Sequence, residues 1–351
     1  MFYCNRQFKN VLFLIIVLSL CVLLFNTSVF AETKTRVVID QAGRKVTIPT
    51  EVNRIVTTWR PATFMVFAVG GQEKLVGVEE HAASTKLLKE VYPEIAQLTK
   101  VGSMKGLNIE AVVSTHPDVV VIWSQKGSDY IIEQLESQGI PSVVLIPESI
   151  EQMKEAALLL GQILGTEPIA EKMVNYYDQK LEMIKERVSQ IPENQRKKVY
   201  LAGSHGFLCT CSSEMFQHFA IEKAGGNDVA SELTGFWNDI SAEQLVKWNP
   251  DIIVAVRYCP ENLGDVVKKY DYTQSINAVK SGELYLFPSN LGPWDYPEPR
   301  SILGILWLAK LINPEIFADL DLVQEIEDFH KDFFGKSYTE LGGKFEPKIN
   351  L

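Results

Sequence analysis

Two stretches of this chain repeat one another without a gap, and nothing else in the sequence restricts its fold as much. The run from Asn108 to Val121 aligns on the run from Ser241 to Val254 at an offset of 133 residues, matching Glu110 to Glu243 and Pro117-Asp118 to Pro250-Asp251. Each copy reads as a short helix capped by Asn or Ser, ended by a Pro-Asp turn that feeds a strand apolar on both faces. Such a phrase could arise twice by chance, but a glutamate at the same place in both copies favours duplication. The chain is therefore expected to hold two α/β lobes of similar build.

Apolar runs too short for helices fall at residues 54–58, 74–78, 119–123 and 142–146, and again at 198–202, 251–256 and 283–287. Helical patterns lie between them: residues 64–69 end at Gly70-Gly71, residues 109–115 form one or two turns, and residues 214–224 end at Gly225-Gly226. Strands buried on both faces and separated by helices predict largely parallel sheets covered on both sides. Between the lobes Ile169, Met173, Tyr176, Tyr177, Leu181, Ile184, Val188 and Ile191 recur every three to five residues, with Pro168 near the start and Pro192 past the end. That is one long amphipathic helix without the composition of a flexible linker, so it is expected to be a stiff strut. The boundaries follow: first lobe 32–165, bridging helix 166–192, second lobe 193–311, C-terminal helix and tail 312–351. A buried helix is expected at 301–310 and a second at 315–334 packing back on a sheet, with a loose tail around Gly342, Gly343 and Pro347.

Arg6 and Lys9 precede an uncharged apolar run at 11–25, and Val29-Phe30-Ala31 supplies a cleavage site, so residues 1–31 read as an export signal. An uncleaved anchor is the competing reading, since the run is near the ~17 residues that span a membrane. Cys21 follows Leu20, too large for the residue that usually precedes a lipidated cysteine. Without the signal, 32 basic and 44 acidic side chains leave a net charge of −12, which argues against a nucleic-acid partner. Cys4 and Cys21 leave with it. The remaining Cys209, Cys211 and Cys259 permit one disulfide, between Cys259 and one of the others. Metal binding by Cys209 and Cys211 is the weaker alternative, because no His or further Cys stands at zinc-type spacing nearby.

The opening segment from Asp40 to Pro49 (Asp-Gln-Ala-Gly-Arg-Lys-Val-Thr-Ile-Pro), the following Arg54-Ile55-Val56, the paired Glu-to-Pro-Asp phrases and the long central helix carry a family resemblance. From about Arg36 to Phe334 the chain resembles the solute-binding proteins of ABC importers for iron-siderophore, haem and cobalamin. The resemblance implies two α/β lobes bridged by a single helix, a ligand cleft between them and modest hinge motion. It also implies one glutamate per lobe that forms salt bridges with arginines of the membrane permease, and these match Glu110 and Glu243. Taken alone, each carboxylate near a helix N-terminus is worth ~0.3–1 kcal/mol as a cap. Capping does not explain why both lobes carry the same residue.

In open α/β sheets, ligands lie beyond the carboxyl ends of the strands. The residues so placed are Trp59, Arg60, His81 beside Glu79 and Glu80, Gln125, Lys126, His205, Phe207, Arg257, Tyr258, and, in the loop 290–300, Trp294, Tyr296 and Arg300. Loops before the repeated helices add Met104 and Lys105 on one lobe and Trp237 on the other; Met104 and Trp237, again 133 apart, are expected to face each other. Aromatic faces with a few guanidiniums suit a large, flat, anionic ligand. A metal chelate is the expected cargo: a ferric siderophore first, with cobalamin or haem as alternatives. Arg300 has a second reading as a loop brace turned toward Asp295 by Pro297 and Pro299. His81, Met104 or His205 is a candidate axial ligand to haem iron or cobalamin cobalt.

A carrier of bare metal ions needs three or four converging ligands, and only His81 and His205 are well placed; His116, His218 and His330 read as structural or solvated. An enzyme is disfavoured by the lack of Gly-x-Ser-x-Gly, a phosphate-cradling loop or His-Glu-x-x-His. The first lobe after the signal also has no cysteine for a metallocluster. The expectation is a monomeric, exported binding protein with no catalytic residue and no cofactor or metal of its own. Its partners are an ABC-transporter permease and a small metal chelate whose iron or cobalt belongs to the ligand.

Overall fold

In the computed structural model, which describes residues 34–103, 106–123 and 128–349, the duplicated phrase folds twice in the same way. The signal segment, Met104, Lys105, Gln125 and Lys126 lie outside the described residues. A two-stranded ribbon, β1 (Thr35–Ile39) and β2 (Lys45–Pro49), precedes β3 (Ile55–Thr57), β4 (Leu75–Val78), β5 (Thr99–Lys100), β8 (Val119–Trp123) and β9 (Ser142–Leu145), which form a sheet in the order β5-β4-β3-β8-β9. The hairpin β6 (Gly102–Ser103) and β7 (Gly106–Leu107) stands beside it. A second sheet takes β10 (Lys198–Ala202), β12 (Asn227–Asp228), β14 (Ile252–Ala255) and β15 (Leu284–Leu286) in the order β12-β10-β14-β15, flanked by the antiparallel pair β11 (Cys209–Thr210) and β13 (Asn238–Asp239). Every pairing inside the two main sheets is parallel, and β4-β3-β8-β9 matches β12-β10-β14-β15 strand for strand. Several strands are a residue or two shorter than the apolar runs, and the backbone carbonyl of Arg54, just before β3, still accepts from the N–H groups of Asp118 and Val119. The Arg54 guanidinium donates to the carbonyls of Thr115 and His116.

Of the twelve α-helices among the described residues, eight bear on the site: α1 (Arg60–Ala68), α2 (Ile109–Ser114), α3 (Ile150–Leu164), α4 (Glu167–Val188), α5 (Phe216–Lys223), α6 (Ala242–Trp248), α7 (Ser301–Ile312) and α8 (Leu322–Phe334). The short helices α2 and α6 begin alike. Asn108 accepts from the Ala111 N–H at 2.9 Å and Ser241 from the Gln244 N–H at 3.1 Å, each satisfying an orphan donor of the first turn. They also end alike, on left-handed residues, His116 with φ 46° and Asn249 with φ 48°. The following aspartates explain the Pro-Asp phrase. Asp118 accepts from the N–H groups of Asn53 and Arg54, and Asp251 from that of Lys198, so each ties the turn to the start of a central strand of its sheet, β3 in one lobe and β10 in the other.

The bridging helix α4 has Pro168 in its first turn and buries Met173, Tyr177, Ile184 and Val188, but it stops at Val188, before Ile191, and leaves Ile169 partly exposed. The helix before it, α3, was not assigned from the sequence. It packs along α4 after a left-handed turn at Gly165, and a Cβ added at Gly161 would lie 2.6 Å from the Cβ of Ala170. Two C-terminal expectations are corrected. Helix α8 begins only at Leu322 and packs on α1 of the first lobe and on α7 rather than on a sheet, because its apolar face meets buried Phe64, edge-on to Phe334 at 6.5 Å, and Tyr176 of α4, which touches Phe329 and Phe333. The tail is not loose: the Leu286 N–H donates to Pro347, the Ile349 N–H donates to Leu284, and Phe345 stacks on Trp294. The expected disulfide is absent as well. Cys209, Cys211 and Cys259 are free thiols, with Cys211 Sγ directed at Asp228 3.9 Å away.

The contact at Gly161 has a measurable consequence. Gly161→Val should force α3 and α4 apart and lower stability by about 1–3 kcal/mol, seen as a reduced urea midpoint with an unchanged slope.

Candidate ligand site

The carboxyl ends of β3 and β8 place two indoles together. Trp59, just after β3, stacks on Trp123 at the end of β8, with ring centroids 4.6 Å apart and planes 10° off parallel. Trp123 Nε1–H donates to Glu148 Oε1 at 3.2 Å; burial raises the Glu148 carboxyl above its ordinary pKa. The neighbouring Arg60 is the first residue of α1, a position where the helix dipole disfavours a cation. It makes no hydrogen bond among the described residues, and its guanidinium lies 5.8 Å from the centroid of Tyr296 in the loop that follows β15.

Tyr296 begins a chain of rings on the second lobe. It meets Tyr258 at 5.2 Å, Tyr258 meets Trp237 at 6.3 Å, and Trp237 carries the exposed Phe236 edge-on at 6.1 Å. Gly203, just after β10, makes room for this surface: an added Cβ would fall 2.4 Å from a Trp237 ring carbon. Beneath the rings, the Tyr258 hydroxyl donates to Asp295 Oδ2 at 2.6 Å and Gln217 Nε2 approaches the same oxygen at 3.4 Å. Asp295 is fully buried and its Oδ1 has no partner among the described residues, so burial pushes its pKa up to about 6.

Four of the residues expected at the cleft, Arg60, Tyr296, Tyr258 and Trp237, are thus joined through contacts that cross from one lobe to the other, and Trp59 is the chain neighbour of Arg60. Others are not. Trp294 is a correction: it is fully buried among His330, Tyr338 and Phe345, and offers no surface to a ligand. Phe207 is likewise a core residue, edge-on to Tyr200 at 6.2 Å. Arg300 is a brace, although not toward Asp295. Its Nε donates to both oxygens of buried Glu298 at 2.9 and 3.1 Å, Nη1 donates to the Leu291 carbonyl, and the guanidinium covers the Phe64 ring at 4.2 Å. Arg257 is half-buried, with Nε directed at the Phe287 carbonyl. His81 pairs with buried Glu79 at 2.7 Å, and His205 pairs with Asp239 at 3.2 Å. His330 is buried and held neutral, its pKa pushed down to about 3 by desolvation and by Arg300.

Glu110 and Glu243 are both exposed, in the first turns of α2 and α6. Hydrogen bonds from its own backbone N–H and from Ser241 hold the Glu243 carboxyl below its ordinary pKa. The sequence reading missed Asp295, Gln217 and Glu148; only the position of Asp295 between Trp294 and Tyr296 hinted at a role. It also missed that Cys209 and Asp239 form a cross-strand pair beside His205.

Two matching parallel sheets, a long strut and an aromatic surface shared between lobes are the build of a bilobal solute-binding protein. The chain belongs to the periplasmic binding protein family, whose sequence model matches residues 55–291. It is similar to the molybdate-binding protein MolA of Haemophilus influenzae, a periplasmic component of an ABC transporter, at 24% identity over 338 residues, covering 90% of this chain and 95% of that protein. It is also similar to the vitamin B12-binding protein of Yersinia pestis, at 25% identity over 211 residues, 60% of this chain and 71% of that one. Among solved structures, a periplasmic solute-binding protein from Veillonella parvula superposes with a TM-score of 0.78 at 26% identity, covering 88% of this chain and 96% of that one. The protein is therefore a substrate-binding component of an ABC importer and not an enzyme, and its relatives are periplasmic or lipoprotein binding proteins, which implies an extracytoplasmic location. No helix among the described residues is long and apolar enough to cross a membrane.

Asp295 supplies a pH test. Its folded-state pKa lies above its unfolded value of 3.8, so the folded protein holds the proton more tightly and Asp295 contributes stability at low pH that is lost as pH rises through about 6. The difference corresponds to roughly 3 kcal/mol. Urea titrations at pH 4 and pH 7 should show the wild type losing up to that amount relative to Asp295→Asn, which keeps a neutral acceptor for Tyr258.

Proposed function

We propose that the protein captures an anionic metal chelate, a ferric siderophore foremost, and delivers it to the permease through Glu110 and Glu243. The observation that carries this reading is Arg60. A guanidinium without a hydrogen bond among the described residues lies over Tyr296, with the stacked Trp59 and Trp123 on its own lobe and Tyr258 and Trp237 beyond Tyr296 on the other. Stacked rings supply area to a flat, polarisable ligand, and the guanidinium supplies charge-assisted hydrogen bonds to its anionic edge. A second reading, a small oxyanion, is favoured by one feature. Arg60, Thr85, Gly292 and Tyr296 help to line a recess of about 30 Å³, the scale of a single small guest, and the relative MolA binds molybdate.

Titration of the protein with ferric catecholate and hydroxamate siderophores, haemin, cyanocobalamin and molybdate separates these. A chromophoric chelate should quench tryptophan fluorescence, and Trp237→Ala should weaken it by about 1–3 kcal/mol through lost stacking area. Tight binding of molybdate with no response to any chelate would replace the first reading by the second.

Delivery is tested separately. Replacing Glu110 and Glu243 together by alanine should leave ligand affinity in solution unchanged and abolish uptake in cells. Normal uptake by the double variant would refute the docking role and leave both glutamates as helix caps.

A further inference from the structure

The second lobe carries a group of side chains that ligand capture does not use. Cys209 and Asp239 are directly opposed residues of the antiparallel pair β11 and β13, so their side chains rise from the same face. His205 is folded back over them by the tight loop in which the Gly203 N–H donates to the Cys209 carbonyl and the Cys209 N–H donates to the Gly206 carbonyl. One donor atom from each of the three, a sulfur, a ring nitrogen and a carboxylate oxygen, lie within 4.8 Å of one another. The thiol is in no disulfide, and the group opens on a groove of about 360 Å³ also lined by Glu261, Tyr270 and Tyr272.

We propose that His205, Cys209 and Asp239 bind a single divalent cation of the zinc class. The donor set decides the class: thiolate and imidazole select zinc, cobalt or nickel over magnesium and calcium, which take oxygen ligands. Three protein ligands leave a fourth tetrahedral position for water or an exchangeable ligand, and exposed His205 and Asp239 keep that position toward solvent. The carboxylate of Glu261, which accepts from the Phe207 N–H at 2.5 Å, adds negative charge at the groove. When the metal–sulfur bond forms, the Cys209 thiol gives its proton to solvent. The ion then clips the loop after β10 to β13, two residues from Trp237 of the ligand surface. The site shares no residue with the aromatic surface and does not depend on the identity of the cargo.

The test uses the full chain, reduced and stripped of metal with a chelator, then titrated with cobalt(II). One equivalent should produce a thiolate-to-cobalt charge-transfer band that zinc abolishes by displacement. Cys209→Ser should remove the band, and Cys211→Ser and Cys259→Ser should leave it intact. His205→Ala and Asp239→Asn, at exposed positions that do not endanger folding, should each weaken binding at least tenfold. The proposal is overturned if no band forms, if the band survives Cys209→Ser, or if neither exposed variant changes the affinity.

Discussion

Arg300 is a buried cation, and the geometry of the aromatic surface between the lobes depends on how its charge is satisfied. Removing a guanidinium from water costs several kcal/mol unless its donors are met and an anion lies beside it. Glu298 meets it with both carboxylate oxygens, the Leu291 carbonyl takes Nη1, and Phe64 of the first lobe covers its face. Gly292 is required for this arrangement, since its φ of 124° is closed to other residues and an added Cβ would lie 2.9 Å from Nη2. The carbonyl of Pro299 meanwhile accepts from Tyr177 of the bridging helix. The loop is thereby tied to both lobes and to the strut at once. As a result Tyr296 is held beneath Arg60 and Asp295 beneath Tyr258.

The two lobes share a framework and differ in what they present. The aspartate-tied turns, the left-handed helix ends and the glycine pairs at 70–71 and 225–226 recur because each solves a backbone problem that both sheets have. The aromatic surface escapes that repetition. After β3 the first lobe passes straight into α1 with Trp59 and Arg60, whereas after β10 the second inserts the Gly203–Asp239 region, with its small antiparallel pair, around α5. That insertion brings Trp237 over Gly203 and sets Cys209 opposite Asp239. An aromatic platform from both lobes and a separate donor cluster on one lobe follow from the same asymmetry.

Several features were legible because they are local. The alternation of short apolar runs with helical patterns marks strands buried on both faces, and Gly-Gly pairs mark helix ends, whatever the rest of the chain does. Rank at a strand's carboxyl end also picked out Arg60, Tyr258 and Tyr296, which the fold brings into contact. The same rule could not separate Trp294 from Tyr296, two residues apart, because one turns into the core formed with Tyr338 and Phe345 and the other turns out. That choice is made by the tail, which returns along β15 from a distance in sequence that no local pattern encodes.

The amino-acid sequence by itself determined the two-lobed α/β plan, the strut and the matched glutamates, since periodicity, caps and duplication act within a few turns of chain. Only the tertiary structure decided which polar and aromatic groups meet. Arg300 found Glu298 rather than Asp295, Cys209 met Asp239 rather than another cysteine, and α8 covered α1 rather than a sheet. In each case the outcome rests on register, burial and long-range packing. A buried charge or an apolar face is satisfied by whichever partner the folded chain brings within reach, and that partner can stand anywhere in the sequence.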